Sequence, residues 1–471
     1  MRREISANPF GLFLLLLMGG GLCVTALLIS QLETSMGILI GLGIAIAVLV
    51  FFKTEIAIYL LIFSMLLSPE FGVGGLATTG GTLGRGVTFR FDDFLLVIIA
   101  FSWLIKSALY KELGIFKKTP LNGAMLFYAF ACVLSTLLGI AAGRVEVLTG
   151  SLFVLKYIQY FVLFFLVINS IEDQKQLRRY WMAVLVTALI VGAIGLAQIP
   201  GGGRVTAPFE GDNPEPNTFA GYLAFVILIC LALALTLPNN RRRISYFLIA
   251  AFLFIPFLFT LSRASYLGFI PGLAVVLLLN HQRMVSYTLI ALALTLLIFP
   301  NVFPRAIRDR VTFTWTQTAR PGQVVVFGQR LDTSTSARLQ SFQLASVDFL
   351  EEPLFGYGVT GWRFIDAQYF RTLLETGVVG LLALFFLFYK LFLLGLERFR
   401  HSNEDPFSRG LAIGFLGGFV CLLFHAIGSN TFIIVRIMQP FWLVAGLVFM
   451  LHLAAAEELP EEKAEPLAQA V

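Results

Sequence analysis

The amino-acid sequence predicts an all-α polytopic membrane protein, and its composition and the length of its apolar runs are the two observations that predict it. Of 471 residues, 58% are hydrophobic and only 13% are charged, whereas an ordinary globular domain has about a quarter of its residues charged. Many apolar runs approach the roughly 20 residues that one helical crossing requires. They are far longer than the alternating strands of a membrane barrel, so the spanning elements are predicted to be helices.

Fourteen apolar runs are candidate spans, and thirteen is the lower count because the third and ninth runs are short. Their centres lie near residues 20, 44, 62, 100, 131, 161, 189, 227, 252, 272, 291, 384, 418 and 446. The predicted organisation is eleven spans over residues 1–300, a large extramembrane loop over 301–374 and three spans over 375–455. An acidic tail, 456–471, has the composition of a disordered segment.

Basic residues give the predicted spans an orientation. With both termini in the cytoplasm, the short loops richest in lysine and arginine fall inside, as the positive-inside rule requires. The large loop then lies on the outer face of the membrane, and the acidic tail lies in the cytoplasm. The outer loops contain arginine but no lysine; they are residues 69–91, 142–150, 200–216, 260–265, 301–374 and 428–437.

Arginines retained in the outer loops point to an anionic ligand on that face. Each cation there opposes the predicted topology, and a guanidinium group can bind phosphate or carboxylate through two parallel hydrogen bonds. A single such arginine could instead cap a helix end or pair with a nearby carboxylate. Arg263 is distinctive because it lies in a turn of only a few residues, TLSRAS at 260–265, which contains no carboxylate.

The sequence contains no pattern typical of a metal, nucleotide or disulfide site. Its four cysteines lie far apart inside apolar runs, as buried small residues do. The outer loops hold no close cluster of histidine or cysteine, and no glycine-rich phosphate-binding motif follows a strand. We therefore expect neither a metal nor another cofactor. The net charge of +6 is distributed in a way that predicts no nucleic-acid partner.

The large loop is predicted to have secondary structure of its own. The stretch ARPGQVVVFGQRLDTSTSARL, residues 319–339, is typical of a turn, a short strand and a polar loop. The following stretch, SARLQSFQLASVDFLEEP, predicts an amphipathic helix that ends at Pro353. Short helices are therefore expected within the loop.

Several short motifs follow one another through the second half of the chain. Ser262-Arg263 opens a span, and Arg338-Leu339 comes one hairpin later. The stretches EPLFGYG at 352–358 and DAQYFRTLLETGVVG at 366–380 then follow, and RVTAPFEGDNPEPNTFAGYL lies upstream at 204–223. In order and spacing, these motifs resemble the O-antigen ligase and polymerase superfamily of membrane glycosyltransferases, of the Wzy and WaaL types. The resemblance covers roughly residues 200–380.

The resemblance implies a GT-C-like fold and metal-independent glycosyl transfer at the outer, periplasmic face of the bacterial cytoplasmic membrane. The implied donor is an undecaprenyl-diphosphate-linked glycan, and the implied acceptor is another glycan. Membrane lipids and a chain-length regulator are further partners that it suggests. By the same resemblance, Arg263 and Arg338 hold the diphosphate of the donor.

One position separates two activities within the superfamily. Ligases have a histidine nine residues before the glutamate of the E-T-G motif, and that position is Asp366 in this chain. Polymerases have an Asp-Asn-x-Tyr-Leu stretch, which residues 366–370 fit better, although Ala367 replaces the asparagine. Polymerisation of O-antigen or exopolysaccharide repeat units is therefore the expected function. Ligation of glycan to lipid A-core or protein stays open, as does a flippase or transporter of lipid-linked oligosaccharides.

Five further assignments complete the predicted site. Asp366 is the candidate general base for the acceptor hydroxyl, with an N-cap of the following helix as the alternative. Arg204, in a loop rich in glycine and proline, is a candidate phosphate or sugar contact. The remaining candidate contacts to diphosphate or glycan are Tyr369, Arg371 and Glu375. For Glu375, the alternative is an ion pair with Arg371 four residues earlier.

Overall fold

The chain is mostly helical in the computed structural model, as the sequence predicts. The structure describes residues 53–72, 88–109, 117–210, 214–280, 305–326, 328–402 and 405–452. Its helices are α1 (Thr54–Leu67), α2 (Phe91–Leu109), α3 (Asn122–Ala141), α4 (Val147–Ser170), α5 (Gln174–Gln198), α6 (Pro216–Thr236), α7 (Asn240–Phe259), α8 (Arg263–Leu279), α9 (Arg305–Thr316), α10 (Thr333–Asp348), α11 (Gln368–His401), α12 (Pro406–His425) and α13 (Val435–Phe449). Two antiparallel pairs of short strands complete it: β1 (Glu70–Gly72) with β2 (Thr88–Arg90), and β3 (Val325–Val326) with β4 (Gln329–Arg330).

Seven of the described helices are long and apolar enough to cross a membrane, namely α3, α4, α5 with the short 3-10 turn after it, α6, α7, α11 and α12. The shorter apolar helices α1, α8 and α13 coincide with three further predicted spans, and α2 with a fourth. The architecture is therefore that of an all-α membrane protein. The spans predicted near residues 20, 44 and 291 and the tail at 456–471 lie outside the described residues, so fourteen crossings stay a prediction.

Contacts between loops gather the predicted outer segments at one end of the helices. Arg144 forms an ion pair of 2.5 Å with Glu352 of the large loop. Arg436 donates to Glu70 at 3.1 Å and to the carbonyl oxygen of Pro208 at 3.0 Å. These contacts involve five of the six loops that the charge pattern assigns to the outer face.

The predicted inner segments contact one another in the same way. Arg178 forms an ion pair of 3.2 Å with Asp405, across the start of α5 and the start of α12. Arg179 pairs with Glu55 at 3.1 Å. These two ion pairs agree with the grouping that the charge pattern predicts, and the assignment of this group to the cytoplasm stays a prediction.

Glycines bring α8 and α12 into close contact. A Cβ atom on Gly268 would lie 2.5 Å from the carbonyl oxygen of Cys421, and one on Gly272 would lie 2.6 Å from that of Gly417. Small residues at such positions allow two helix backbones to approach closely. The contact holds the first residue of α8, Arg263, beside the end of α12.

Helix α11 has a break at Gly377, where φ is 66° and ψ is −167°. The segment 353–358 fills this break: the carbonyl oxygens of Pro353 and Leu354 accept from the amides of Val378 and Val379 at 2.9 and 3.2 Å. A Cβ atom on Gly377 would collide with the carbonyl of Leu354. The EPLFGYG and LLETG motifs are therefore paired through their backbones. This pairing leaves no room for a side chain at position 377, which explains why that residue is glycine.

The large loop differs from its predicted form at both ends of its longer helix. Helix α10 begins at Thr333 rather than Ser336, because the carboxylate of Asp332 caps the amides of Ser334 and Thr335 at 2.9 and 3.1 Å. It ends at Asp348, before Pro353 is reached. The predicted short strand is present as β3, and β4 pairs with it to form a small hairpin.

Candidate functional site

A cavity of about 210 Å³ lies where α8, α9, α10 and the end of α12 meet. Arg263 at the start of α8 and Arg338 in the middle of α10 both line it. Thr314 of α9 and Thr335 of α10 add two hydroxyl groups. The fold therefore brings together the two arginines that the sequence singles out, although they belong to different helices.

The guanidinium group of Arg263 is held by two elements of the large loop. Its Nη1 donates to Asp332 at 2.6 Å and to Thr314 Oγ1 at 2.5 Å, and its Nη2 donates to the other oxygen of Asp332 at 3.3 Å. The residue before it, Ser262, accepts through its hydroxyl oxygen from the amide of Ser265 at 3.4 Å and so caps α8. The positive end of the α8 dipole adds to the charge of Arg263 at this point.

The turn before Arg263 is strained and is held by Arg204. Leu261 has a φ of 52°, a left-handed conformation that costs a non-glycine residue roughly 1–2 kcal/mol. Arg204 donates to the carbonyl oxygens of Thr260 at 2.9 Å and of Leu261 at 3.3 Å. Burial and, to a smaller extent, the nearby positive charge of Arg310 lower the pKa of Arg204 to about 10. Arg204, predicted as a ligand contact, therefore positions the turn and does not line the cavity.

Asp332 is a residue of the site that the sequence reasoning missed. Its side chain is 1% exposed, and it joins Arg263 to the first turn of α10. Burial alone would raise the pKa of Asp332, but hydrogen bonds from Arg263 and Thr335 outweigh this effect and lower it to about 2. The carboxylate is therefore ionised at physiological pH. An aspartate directly before Thr-Ser-Thr is an N-cap signal that could have identified it.

Asp366 forms an ion pair with Arg338, whose Nη2 lies 3.0 Å from its Oδ2. The backbone on either side of Asp366 is fixed by the loop after α12. The carbonyl of Ile365 accepts from Asn430 at 2.8 Å, and the amide of Gln368 donates to the carbonyl of Ala426 at 3.1 Å. The residue that caps α11 is Ala367, so the structure assigns Asp366 to the ion pair and not to the cap.

Cations outnumber carboxylates around the cavity. Arg310 of α9 lies within electrostatic range of Arg263, Arg338 and Asp332; burial lowers its pKa, and Arg263 lowers it further. The Nε atoms of Arg310 and Arg338 are buried and have no hydrogen-bond partner among the residues that the structure describes. Three guanidinium groups, those of Arg263, Arg310 and Arg338, therefore lie near the carboxylates of Asp332 and Asp366, an arrangement that attracts an anion.

The opposite side of the cavity is apolar and open. Leu267 of α8 is 55% exposed, Phe424 at the end of α12 is 42% exposed, and Ile427 beyond it is 47% exposed. Neighbouring exposed apolar side chains are typical of membrane-interaction sites and ligand-binding grooves. The cavity therefore combines a cationic wall with an edge suited to a hydrocarbon chain.

Three other predicted contact residues are engaged elsewhere. Glu375 accepts from Arg371 at 3.0 Å and from the amide of Thr360 at 3.2 Å. Tyr369 donates its hydroxyl to the carbonyl oxygen of Leu423 at 2.7 Å. None of the three lines the cavity. For Glu375 and Arg371, the geometry is that of the i,i+4 pair, and Tyr369 joins the first turn of α11 to α12.

No protein-family model matches the chain, and no curated protein matches it. In the part of the chain that the structure describes, no group of three or more histidine, cysteine, aspartate or glutamate residues could hold a metal ion.

Proposed function

We propose that the chain is a membrane glycosyltransferase that polymerises polysaccharide repeat units linked to undecaprenyl diphosphate, at the outer face of the bacterial cytoplasmic membrane. The cavity between Arg263 and Arg338 is the observation that carries the proposal, because its cationic wall meets an edge of exposed apolar side chains. A diphosphate joined to a polyprenyl chain has the same two-sided character. The motif order that resembles the O-antigen ligase and polymerase superfamily supports the proposal independently.

In the proposed reaction, Arg263 and Arg338 hold the diphosphate of the donor. The bond between the anomeric carbon and the diphosphate oxygen breaks, and its electron pair leaves with the diphosphate. A hydroxyl oxygen of the acceptor forms the new glycosidic bond. Pre-positioned cations stabilise the charge that develops on the leaving group, and each such donor contributes about 2.7–4 kcal/mol in comparable sites.

Asp366 receives the proton of the acceptor hydroxyl in this scheme. In the absence of substrate its carboxylate is held by Arg338 at 3.0 Å. A diphosphate that binds Arg338 competes with this ion pair and frees the carboxylate to act as the general base. Donor binding and activation of the base are thereby coupled through one guanidinium group.

Two other functions, those of a ligase and of a flippase, are the alternatives to polymerisation. A ligase would bind the same donor but transfer the glycan to lipid A-core or protein; the aspartate at position 366, where ligases have histidine, favours the polymerase. A flippase would place its charged groups near the middle of the membrane. Arg263, Arg310 and Arg338 instead lie at the start of a span and in the large loop, which favours an enzyme.

A reconstituted polymerisation assay tests the proposal. Purified chain in liposomes receives a repeat unit linked to undecaprenyl diphosphate, and the products are separated by size. A ladder of chain lengths supports the polymerase. A single unit transferred to added lipid A-core identifies a ligase, and movement of the lipid without a new glycosidic bond identifies a flippase.

A further inference from the structure

The carboxylate group of Asp332 contacts two of the helices that form the cavity, α8 through Arg263 and α10 through its first turn. Its two oxygens accept from Nη1 and Nη2 of Arg263 at 2.6 and 3.3 Å. The same oxygens accept from the amides of Ser334 and Thr335 and from the hydroxyl of Thr335, all between 2.9 and 3.1 Å. Asp332 thus joins the start of a membrane helix to the start of the loop helix that carries Arg338.

This arrangement leaves one edge of the Arg263 guanidinium for a ligand. Both hydrogens of Nη1 are used, by Asp332 and Thr314, and Nη2 uses one. The Nε hydrogen and the second Nη2 hydrogen remain, and no residue in the described part of the chain accepts from them. These two N–H groups form the edge that binds a phosphate group through two parallel hydrogen bonds.

The position of Arg338 depends on the same carboxylate. Asp332 fixes the first turn of α10, and Thr335 and Arg338 follow three residues apart on one face of that helix. Both residues line the cavity with Arg263. The separation of the two guanidinium groups is therefore set through Asp332, which is 1% exposed.

We propose that Asp332 is a positioning residue that fixes the spacing between Arg263 and Arg338 and thereby makes the cavity selective for a polyprenyl diphosphate over a polyprenyl monophosphate. The inference rests on the proposed donor site and adds the origin of its selectivity. A diphosphate can contact both guanidinium groups only when their separation matches that of its two phosphorus centres. A monophosphate uses one of them and does not depend on that separation.

Binding of two probes tests the inference without requiring glycosyl transfer. Farnesyl diphosphate and farnesyl monophosphate are titrated onto the purified chain in nanodiscs, and the ratio of their dissociation constants is measured. In Asp332→Asn, the side chain still caps α10, because asparagine is an effective N-cap, but it no longer holds Arg263 through a charged pair. We expect the preference for the diphosphate to fall about tenfold, the factor for loss of one charge-assisted hydrogen bond.

A matched control and a second variant make the test specific. Asp348→Asn removes an ion pair of 3.0 Å with Arg363 at the other end of α10, and it should leave the ratio unchanged. Arg263→Lys keeps the charge but cannot form the bidentate pair, so it should lower the ratio as Asp332→Asn does. Asp332→Glu keeps the charge but moves the carboxylate one methylene group further from the backbone, so it should also lower the ratio, and it decides the matter if Asp332→Asn does not fold.

The outcomes separate this inference from the proposed function. A purely structural role for Asp332 would weaken both probes equally, and an unchanged ratio in Asp332→Asn or Arg263→Lys would overturn the inference. A wild-type chain that binds the two probes equally would overturn it as well. If the wild-type chain binds neither probe, the proposed donor site itself fails.

Discussion

The guanidinium group of Arg338 lies 3.0 Å from the carboxylate of Asp366. Arg338 and Arg263 also line the same cavity. One arginine therefore contacts the candidate base and faces the space in which the donor diphosphate is proposed to bind. The candidate base, Asp366, and the candidate diphosphate ligand, Arg338, therefore already form an ion pair in the absence of substrate.

Replacement of the candidate base should slow transfer without weakening donor binding. In Asp366→Asn, the side chain can no longer accept the acceptor's proton, and general-base contributions are typically about 10²- to 10⁴-fold. Arg338 loses a competing carboxylate, so the affinity for a polyprenyl diphosphate should be retained or increased. Turnover at saturating donor and the donor dissociation constant are the two measurements. A turnover close to that of the wild-type chain would exclude Asp366 as the base.

Removal of Arg263 should lower the transfer rate far more than removal of an arginine outside the cavity. We expect Arg263→Ala to reduce kcat about 100- to 1,000-fold, by analogy with the loss of one oxyanion-hole donor. The matched control is Arg363→Ala, whose partner Asp348 lies at the far end of α10. Equal losses in the two variants, measured in the reconstituted assay, would contradict the assignment of the cavity as the donor site.

The raised pKa of the Glu210 carboxyl should make the folded chain less stable against unfolding as the pH rises. Burial raises the pKa of its carboxyl to about 7, against the opposing effect of Arg436, whose Nε lies 3.8 Å away. The unfolded chain ionises the same group near pH 4.3. Between these values the folded chain binds the additional proton, so the stability that this proton contributes is present at low pH and is lost as the pH approaches 7.

The variant Glu210→Gln removes this titration and should show a weaker pH dependence. Between pH 5 and pH 8 the wild-type chain should lose unfolding free energy relative to Glu210→Gln. We expect this relative loss to be on the order of 2 kcal/mol. Thermal unfolding in one detergent at both pH values measures it. Parallel curves for the two chains would show that Glu210 ionises at its ordinary pKa in the folded state.

The close contact between α8 and α12 predicts that Gly268 cannot be enlarged. A Cβ atom there would lie 2.5 Å from the carbonyl oxygen of Cys421, so Gly268→Val should force the helices apart at a cost of about 1–3 kcal/mol. Gly123→Val is the control, because a Cβ on Gly123 meets nothing within 4 Å. A similar drop in unfolding temperature for both variants would argue against the glycine contact.

Local features of the sequence predicted the helices and one of the ion pairs. Hydrophobic runs of span length depend only on neighbouring residues, and the pair between Arg371 and Glu375 follows from their separation of four positions on one helix. The pairing of Arg263 with Asp332 could not be predicted in this way. It joins residues 69 positions apart, and no periodicity or spacing connects a membrane turn to one of several carboxylates in a long loop.

The break in α11 at Gly377 is a second feature that the sequence did not predict, because it too depends on a contact between distant residues. The run from Leu373 to Leu382 is predominantly apolar and typical of a continuous helix, and Gly377 alone hints at an interruption. The interruption is stabilised by residues 353–358, whose carbonyl and amide groups replace those of the helix. Sequence motifs indicated that both stretches matter, but their pairing is a tertiary contact that only the structure reveals.

A structure of the chain with a bound polyprenyl diphosphate would show whether the cavity between Arg263 and Arg338 is the donor site. We expect phosphate density between Arg263 and Arg338, with oxygens within about 3 Å of both guanidinium groups. The hydrocarbon chain should leave past Leu267 and Phe424, and the Arg338–Asp366 pair should be broken. Density for the diphosphate at any other place, with the Arg338–Asp366 pair intact, would contradict the assignment of this cavity as the donor site.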